Sequence, residues 1–261
     1  MAAAALKLWL LNRVFRADFV DDALEAVARN ALAGRVLRSR LQRIVWIAPA
    51  VLDTGALFIH IPKNAGTSVS WALYGGPATH RSVRLYEFAA PDLAARSYKF
   101  AVLRDPVERF LSAFDFVLNG GGEHVPVIER SLRRLRRVRS VDDYLDYLEK
   151  RRSNWIDIDN VGRPQTWFLT DRSGRIAVDA LFTLDDLARV QEVVLRHGGG
   201  EIMHMNRTRR SVRTLSADQL RRVRRIYAAD FALFRYMAGR APDAARGLRF
   251  ESGDFQSGGP G

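Results

Sequence analysis

The chain has 261 residues, 48% of them hydrophobic, and a formal net charge of +12. A chain of this length can bury one sizeable core and is too short for two domains of typical size, so we expect a single domain. The basic excess favours anionic partners, such as a nucleotide, an acidic glycan, a nucleic acid or a membrane surface, without ranking them.

Residue usage limits the chemistry further. The chain has no cysteine, which excludes disulfides and thiol nucleophiles. None of its five histidines forms an i, i+3 or i, i+4 pair with another on a predicted helix, so a structural zinc site is not expected. Only four of the 41 basic residues are lysine, which makes a lysine inside a motif informative. The compartment stays open, with the reducing cytoplasm as the default expectation.

The first 40 residues have the pattern of two amphipathic helices. Residues 1–16 are apolar but interrupted by Lys7 and Arg13, and they lack the cleavage site of a signal peptide. The apolar run 44–52 has nine residues, whereas a membrane-spanning helix needs roughly 20. We take residues 1–50 as a helical extension packed on the core; the alternative is peripheral contact with an anionic membrane or a partner protein.

Two strand–loop–helix units follow in chain order. The apolar run 56–61 predicts a buried strand, and a loop and a short helix come after it. Residues 98–103 predict a second strand, followed by a turn and an apolar helical stripe over 107–118. Repeated units of this kind predict an α/β fold of three layers, similar to P-loop proteins, with a central parallel sheet flanked by helices.

An arginine-rich segment follows over residues 123–140. Its pattern predicts a short, very basic helix, which is either a solvated face or a lip on the active site that faces a polyanion. The arginines that carry this charge are Arg130, Arg133, Arg134, Arg136, Arg137 and Arg139.

The remaining elements complete one domain over 51–240. Residues 141–150 predict a helix, and the runs 176–178 and 181–184 are strand candidates. Two more helices are expected, over 185–197 and from Ser216 onward, where Ser216 and Gln219 have capping-box spacing. Residues 241–261 are expected to form a flexible tail.

The loop after the first strand has the composition of an anion site. Backbone N–H groups at a helix N-terminus, a glycine that permits close approach and two hydroxyls are combined there. The loop is not a Walker A motif, because its lysine precedes the turn, and an ordinary helix cap is the alternative. Its residues are Lys63, Asn64, Ala65, Gly66, Thr67 and Ser68.

Two segments resemble a known family. His60-Ile-Pro-Lys-Asn-Ala-Gly-Thr-Ser68 is similar to the 5'-phosphosulfate loop of sulfotransferases that use 3'-phosphoadenosine 5'-phosphosulfate (PAPS), in particular the carbohydrate branch with heparan sulfate 2-O-sulfotransferase and its bacterial relatives. The second segment, 102–114, resembles that family's 3'-phosphate element, in which an Arg and a Ser eight residues later hold the phosphate. Those residues are Arg104 and Ser112 here.

The resemblance implies transfer of a sulfuryl group from PAPS to a carbohydrate-type hydroxyl, with 3',5'-ADP as the product. Lys63 would meet the charge on the departing oxygen, while Thr67, Ser68 and the loop N–H groups hold the 5'-phosphate. An ion pair with Asp105 or Glu108 is the alternative role of Arg104. No metal is expected, because sulfate carries less charge than a terminal phosphate.

Such a transfer needs a base that accepts the hydroxyl proton. His80 is our choice, because it lies just past the first helix, where the carbohydrate branch often places a catalytic histidine. Glu87 and Asp92 are rival bases. His60 is expected to point away from the loop and to be structural.

The resemblance continues more loosely through Gln165, which either faces the acceptor or pins a loop, and through Asn206 and Asp230. Arg109 is expected to form an ion pair with Asp105 or Glu108; the alternative is that it joins the phosphate site. Two other functions stay open: a P-loop-like small-molecule kinase that uses ATP and Mg²⁺, and a polyanion-binding module without catalysis. A nucleic-acid partner is not expected, because few aromatic residues interleave with the arginines.

Overall fold

A computed structural model of the protein describes residues 20–29, 47–122, 125–126, 135–203 and 213–249. The strands of these residues are β1 (Ala56–Phe58), β2 (Tyr98–Leu103), β3 (Gly121–Gly122), β4 (Val125–Pro126) and β5 (Ala180–Thr183). A parallel three-stranded sheet in the order β1-β2-β5 forms the centre of the fold, and β3 and β4 make a separate antiparallel pair.

Helices connect and cover the strands. Short 3₁₀ helices occupy Trp155–Asp157 and Leu184–Asp186. The α-helices of the described residues are α1 (Val20–Arg29), α2 (Pro49–Asp53), α3 (Gly66–Tyr74), α4 (Val83–Ala89), α5 (Pro91–Arg96), α6 (Pro106–Leu118), α7 (Val141–Glu149), α8 (Gln165–Leu169), α9 (Leu187–Arg196), α10 (Ala217–Ile226) and α11 (Ala228–Met237).

Both faces of the sheet are buried. Side chains alternate along a strand, so Leu57 of β1 packs with α4, α8 and α11 on one face, whereas Phe58 packs with α3 and α9 on the other. Strands buried on both faces have continuous apolar sequences, as β1 and residues 100–103 of β2 do. The predicted α/β class, with a central parallel sheet flanked by helices, is confirmed.

Helix α6 begins shortly after β2 and forms part of a second hydrophobic cluster. Asp105 caps it by accepting hydrogen bonds from the N–H groups of Val107 and Glu108 at 2.9 and 3.0 Å, and Pro106 occupies its first turn. Its apolar stripe, which includes Phe110 and Phe114, packs against α7 and α10.

Local details differ from the sequence-based expectations. The first strand ends at Phe58, three residues early, as the chain turns into the loop. The candidate strand 176–178 forms only an isolated bridge from Ile176 to Thr170. The helix predicted from Ser216 has the expected capping box but breaks at Tyr227, whose hydroxyl donates a hydrogen bond to the carbonyl of Gly162 at 2.8 Å. Most of the arginine-rich segment lies outside the described residues.

The positions of the main loops follow from the parallel sheet. The turn 62–65 follows β1, residues 104–105 follow β2, and Leu184–Asp186 follows β5. Carboxyl ends of parallel strands lie at the same edge, where open α/β sheets bind ligands. Within the described residues, no helix is both long enough and apolar enough to cross a bilayer.

Candidate active site

The turn between β1 and α3 has an unusual backbone. Lys63 and Ala65 have positive φ values of 70° and 56°, a conformation that costs a residue with a side chain roughly 1–2 kcal/mol. Such strain is typical of binding sites, where surrounding contacts maintain it. A turn of this kind aims backbone N–H groups outward, and the first N–H groups of α3 have no intrahelical acceptor. The segment therefore forms a surface of backbone donors.

A buried amide pair joins this turn to the end of β2. The side-chain nitrogen of Asn64 donates to the carbonyl of Val102 at 2.8 Å and to Oε1 of Gln165 at 2.6 Å. Gln165 also accepts from the N–H of Arg104 at 3.0 Å and donates to its carbonyl at 2.8 Å. Asn64 and Gln165 are 1% and 0% exposed. Gln165 therefore pins the two loops together, which settles the choice that the sequence left open for it.

Asp230 holds the segment that carries Gln165. Its carboxylate accepts hydrogen bonds from the N–H groups of Gln165 and Thr166, at 2.7 and 2.9 Å, and from the hydroxyl of Thr166 at 2.8 Å. Burial raises the pKa of Asp230, while the nearby positive charge of Arg109 and these hydrogen bonds oppose the rise. Asp230 thus supports the site through backbone groups.

The side chain of Lys63 extends toward α6. Its Nζ lies 4.6 Å from the centre of the Phe116 ring, a cation–π contact that the sequence analysis missed. Burial, together with the positive charges of Arg104 and Arg109, lowers the pKa of Lys63 to about 8. The ammonium group therefore lies among other cations, and an anion bound there would stabilise it.

Arg104 lies beside the same turn. Its Nη1 donates to the carbonyl of Lys63 at 3.2 Å, and its Nε lies 3.5 Å from a carboxylate oxygen of Glu108. The ion pair considered for Arg104 is thus present, and the guanidinium also contacts the loop. Ser112, one helical turn beyond Glu108, is 4% exposed, and its hydroxyl has no hydrogen-bond partner in the described part of the chain. A buried hydroxyl without a partner needs an explanation, and a bound anion would supply it.

The hydroxyl residues of the loop begin α3. Thr67 is partly exposed and Ser68 is 9% exposed, both in the first turn of the helix. Ser70 donates to the carbonyl of Thr67 at 3.0 Å, which fastens that turn. The predicted loop residues thus lie together at the carboxyl edge of the sheet.

The expected ion pair of Arg109 is wrong. Arg109 is 2% exposed, and its Nε donates to the carbonyl of Pro62 at 3.1 Å while its Nη1 donates to the carbonyl of Arg163 at 2.8 Å. Burial lowers the pKa of Arg109, and the negative charge of Asp230 is the largest effect that raises it. The twist of the helix points the Arg109 side chain into the core, away from Asp105 and Glu108. Its hydrogen bond to Pro62 therefore stabilises the loop from the buried side.

His80 lies close to the cations of the site. Its Nδ1 lies 3.0 Å from the backbone carbonyl of His60, so that nitrogen carries the proton and donates it, and the lone pair of the neutral ring is on Nε2. Burial lowers the pKa of His80, and the charges of Arg109 and Lys63 lower it further, against the opposing effect of the hydrogen bond. The ring is therefore neutral near pH 7 and able to accept a proton.

The prediction that His60 points away from the loop is wrong. A Cβ atom on Gly66 would overlap the His60 ring, so the ring packs directly against the start of α3. The His60 Nδ1 lies 2.9 Å from the carbonyl of Ala78, and its ring centre lies 4.1 Å from that of His80. Gly66 is thus required for close packing, and His60 couples the loop to the segment of His80.

The rival bases lie toward the other edge of the sheet. The electrostatic neighbours of Glu87 include Asp171 and Lys99, and Lys99 is the second residue of β2, at the opposite end of the strand from the Lys63 turn. Asp92 is exposed in α5, the helix whose Ala94 carbonyl accepts a hydrogen bond from Lys99 at 2.9 Å. The structure therefore does not bring these carboxylates to the Lys63 turn.

Helix α1 holds the segment that follows His80. Glu25, 2% exposed, accepts hydrogen bonds from the N–H and hydroxyl of Ser82 at 2.9 and 2.8 Å, and Asp21 accepts from Nε of Arg81 at 3.2 Å. Asp22 lies 2.7 Å from Nη1 of Arg163. These contacts are not predictable from the sequence, because no local pattern connects acidic residues of an amphipathic helix with a loop more than 50 residues later.

Asn206 lies outside the described residues. Within those residues, no group of three or more His, Cys, Asp or Glu side chains is arranged to hold a metal ion.

One of three comparisons with known proteins identifies a family for the chain. Searches among curated proteins and among solved structures found no significant match. A family model described as "Sulfotransferase family" matches residues 53–237, which is more than half of the chain and includes both the Lys63 turn and the Arg104–Ser112 segment. The chain belongs to the sulfotransferase family.

Proposed function

We propose that this sulfotransferase takes its sulfuryl group from PAPS and transfers it to a hydroxyl of a carbohydrate-type acceptor. The observation that carries the proposal is the contact of Arg104 with the Lys63 turn, at 3.2 Å. It supports the proposal because it brings the Lys63 turn and the Arg104–Ser112 segment side by side at one edge of the sheet, as a nucleotide with phosphates at both ends requires.

In this proposal two groups of residues bind the two ends of the nucleotide. The N–H groups of the turn, with Thr67 and Ser68, bind the 5'-phosphate, and Arg104 and Ser112 bind the 3'-phosphate. The residues present fit such a ligand, because Ser112 has a buried hydroxyl without a partner in the described residues and Lys63 has a pKa lowered by neighbouring cations. An anion would satisfy both.

Sulfuryl transfer is analogous to phosphoryl transfer, in which the attacking and leaving oxygens lie roughly in line. Negative charge grows on the leaving phosphate oxygen, and Lys63 stabilises it there. The Nε2 atom of His80 accepts the proton of the attacking hydroxyl, because Nδ1 of the same ring already donates a hydrogen bond to the carbonyl of His60. No metal ion is needed in this scheme.

The acceptor class rests on the resemblance and on charge. A formal net charge of +12 suits an acidic glycan. The proposed location is the cytoplasm, and contact with a membrane surface is the alternative role of the N-terminal segment. We also propose that the chain divides into an N-terminal extension (1–50), the catalytic domain (51–240) and a C-terminal tail (241–261). These proposals rest on the sequence patterns.

Two measurements test the proposal. A rise in melting temperature with 3',5'-ADP, but not with ATP and Mg²⁺, supports the PAPS site, because a ligand that binds only the folded state stabilises it. Transfer of labelled sulfate from PAPS to a panel of glycans, lipids and phenols then identifies the acceptor class. Stabilisation by ATP and Mg²⁺ alone would instead favour a kinase, and binding of heparin without any transfer would favour a polyanion-binding module.

A further inference from the structure

A cleft of about 660 Å³ opens at the edge of the sheet where the strands begin. Tyr98, the first residue of β2, and Ala180, the first residue of β5, line it, together with α9 and the turn 242–246. Because β2 rises about 3.3 Å per residue, this cleft lies about 17 Å from the end of β2, where Arg104 and the Lys63 turn are placed. Its volume is within the range of about 300–1,000 Å³ that is typical of small-molecule sites.

Four arginines supply the positive charge of the cleft. Arg96 ends α5, Arg189 and Arg196 project from α9, and Arg246 comes from the C-terminal turn. Arg246 is paired with Asp179, since its Nη1 lies 3.3 Å from a carboxylate oxygen of that residue. Throughout the described chain, no carboxylate lies within ion-pair distance of the other three guanidinium groups. These three exposed cations can therefore bind an external anion.

The carboxylates of the cleft limit its positive charge. Asp179 is shared between Arg246 and Lys99, whose Nζ lies 3.4 Å from it. Glu192 and Asp243 also line the cleft. Four arginines against three carboxylates make the cleft weakly positive rather than a general polyanion surface, which favours a compact ligand with one or two charges over an extended polymer.

The spacing on α9 suggests how such a ligand is held. Arg189 and Arg196 are seven residues apart, so they lie on the same face of the helix, about 10 Å apart along its axis. Guanidinium groups bind the paired oxygens of phosphate, sulfate and carboxylate through two parallel hydrogen bonds. Two such groups at this distance can hold two oxyanions on one small molecule.

The cleft also offers groups for the uncharged part of a ligand. The Tyr98 ring stacks on His197 with 5.7 Å between ring centres and 14° between planes, and Nδ1 of His197 lies 3.0 Å from the carbonyl of Thr54. Ser97 is 4% exposed, and its hydroxyl has no partner among the described residues. A fixed aromatic ring and a spare hydroxyl beside cations are the elements of a specific small-molecule site.

We propose that this cleft binds a small organic oxyanion, a molecule of at most disaccharide size that carries sulfate, phosphate or carboxylate groups. The cleft is a second binding site, separate from the Lys63 turn. The inference does not depend on the proposed function.

Calorimetric titration of the full chain tests the inference. The probes are glucose 6-sulfate, glucose 6-phosphate and glucuronate, with inorganic sulfate and phosphate as the bare anions and glucose as the neutral control. The double variant R189A/R196A removes two guanidinium groups from the cleft, and R221A/R224A removes the same charge from the exposed face of α10 as the matched control. The same titrations with Arg104→Ala separate the cleft from the Lys63 turn.

We expect at least one sugar anion to bind, with a dissociation constant about tenfold or more weaker in R189A/R196A, since hydrogen bonds to charged groups are strong. Binding should be unchanged in R221A/R224A, and Arg104→Ala should still bind the sugar anion through the cleft. The anion that binds most tightly identifies sulfate, phosphate or carboxylate as the natural group. Failure of every sugar anion to bind overturns the inference, as does equal loss in both double variants or loss in Arg104→Ala alone.

Discussion

The guanidinium of Arg104 donates a 3.2 Å hydrogen bond to the backbone carbonyl of Lys63. This contact joins the ends of two neighbouring strands and keeps a second cation beside the amino group of Lys63. Burial and that neighbouring charge lower the pKa of Lys63 to about 8. The charge of the residue that we propose as the partner of the leaving oxygen therefore changes within an accessible pH range.

The first prediction is a bell-shaped pH dependence of kcat/KM for PAPS. His80 must be neutral to accept a proton, and its pKa is lowered from 6.5, so activity should rise as the pH passes a value below 6.5. Lys63 must be charged, so activity should fall as the pH passes about 8. The measurement is the initial rate of sulfate transfer from pH 5 to 10.

Variants of Lys63 and His80 test which residue causes the rise and which the fall in that pH profile. Lys63→Arg keeps the charge at all these pH values, so the fall near pH 8 should disappear; Lys63→Ala should lower kcat by about 100-fold or more while 3',5'-ADP still binds. His80→Ala should abolish turnover and likewise leave 3',5'-ADP bound. A fall near pH 8 that persists in Lys63→Arg contradicts the role of Lys63, and retained activity in His80→Ala contradicts that of His80.

The second prediction concerns the 3'-phosphate. Arg104→Ala should weaken 3',5'-ADP binding by about tenfold or more, because a hydrogen bond to a charged group contributes about 1.5–3 kcal/mol, and Ser112→Ala should weaken it by a smaller factor. Adenosine 5'-monophosphate, which lacks that phosphate, should bind both variants and the unmodified protein almost equally. Isothermal titration gives these constants.

Glu108→Ala is the control for Arg104. This change removes the carboxylate that lies 3.5 Å from Arg104 but leaves the guanidinium in place. We expect 3',5'-ADP to bind Glu108→Ala as well as or better than the unmodified protein. If Glu108→Ala and Arg104→Ala weaken binding equally, the ion pair has only a structural role and the assignment fails.

The third prediction tests the contact between the loop and His60. In Gly66→Ala the new methyl group would overlap the His60 ring, so we expect a loss of about 1–3 kcal/mol in the free energy of unfolding. Gly76→Ala is the matched control, because its Cβ would meet nothing within 4 Å. Denaturant unfolding of both variants provides the comparison.

A double-mutant cycle makes this test specific. If the clash is with the His60 ring, H60A/G66A should be less destabilised than the sum of the two single variants. Strict additivity would show that Gly66 is needed for some other reason.

The fourth prediction concerns the support that α1 gives to the His80 segment. Glu25→Ala removes both acceptors of Ser82, so the loop should shift and kcat should fall by about tenfold or more, while 3',5'-ADP binding changes little. Glu25→Gln keeps an acceptor for the Ser82 N–H and should restore most of the activity. Equal loss of kcat and of 3',5'-ADP binding in Glu25→Ala would indicate general destabilisation instead of positioning.

Local patterns were sufficient to predict the fold class and the turn between the first strand and its helix, which we propose binds anions. Apolar runs such as β2 and the stripe of α6 indicate strands and helices directly, because burial follows the period of each element. The order of residues in the turn, with Gly66 at the start of a helix, likewise indicated a backbone surface for anions, and the same residues carried the resemblance to the sulfotransferase family.

The contacts between distant segments could not be predicted from such patterns. Asn64 meets Gln165 across 101 positions, and Glu25 meets Ser82 across 57. His60 was predicted to face away from the loop, yet its ring packs on Gly66. No period or propensity encodes which polar groups meet when the elements pack, so only the tertiary structure decided these pairs.

Residues close in the chain thus determined the elements, the family and the turn that we propose binds anions, because helix and strand formation and close approach of the backbone depend on local residue types. The partners of Asn64, Arg109 and His80, and the arginine-lined cleft at the far edge of the sheet, depended on the tertiary structure. The reason is that buried polar groups must find partners wherever packing places them, regardless of their separation in the sequence.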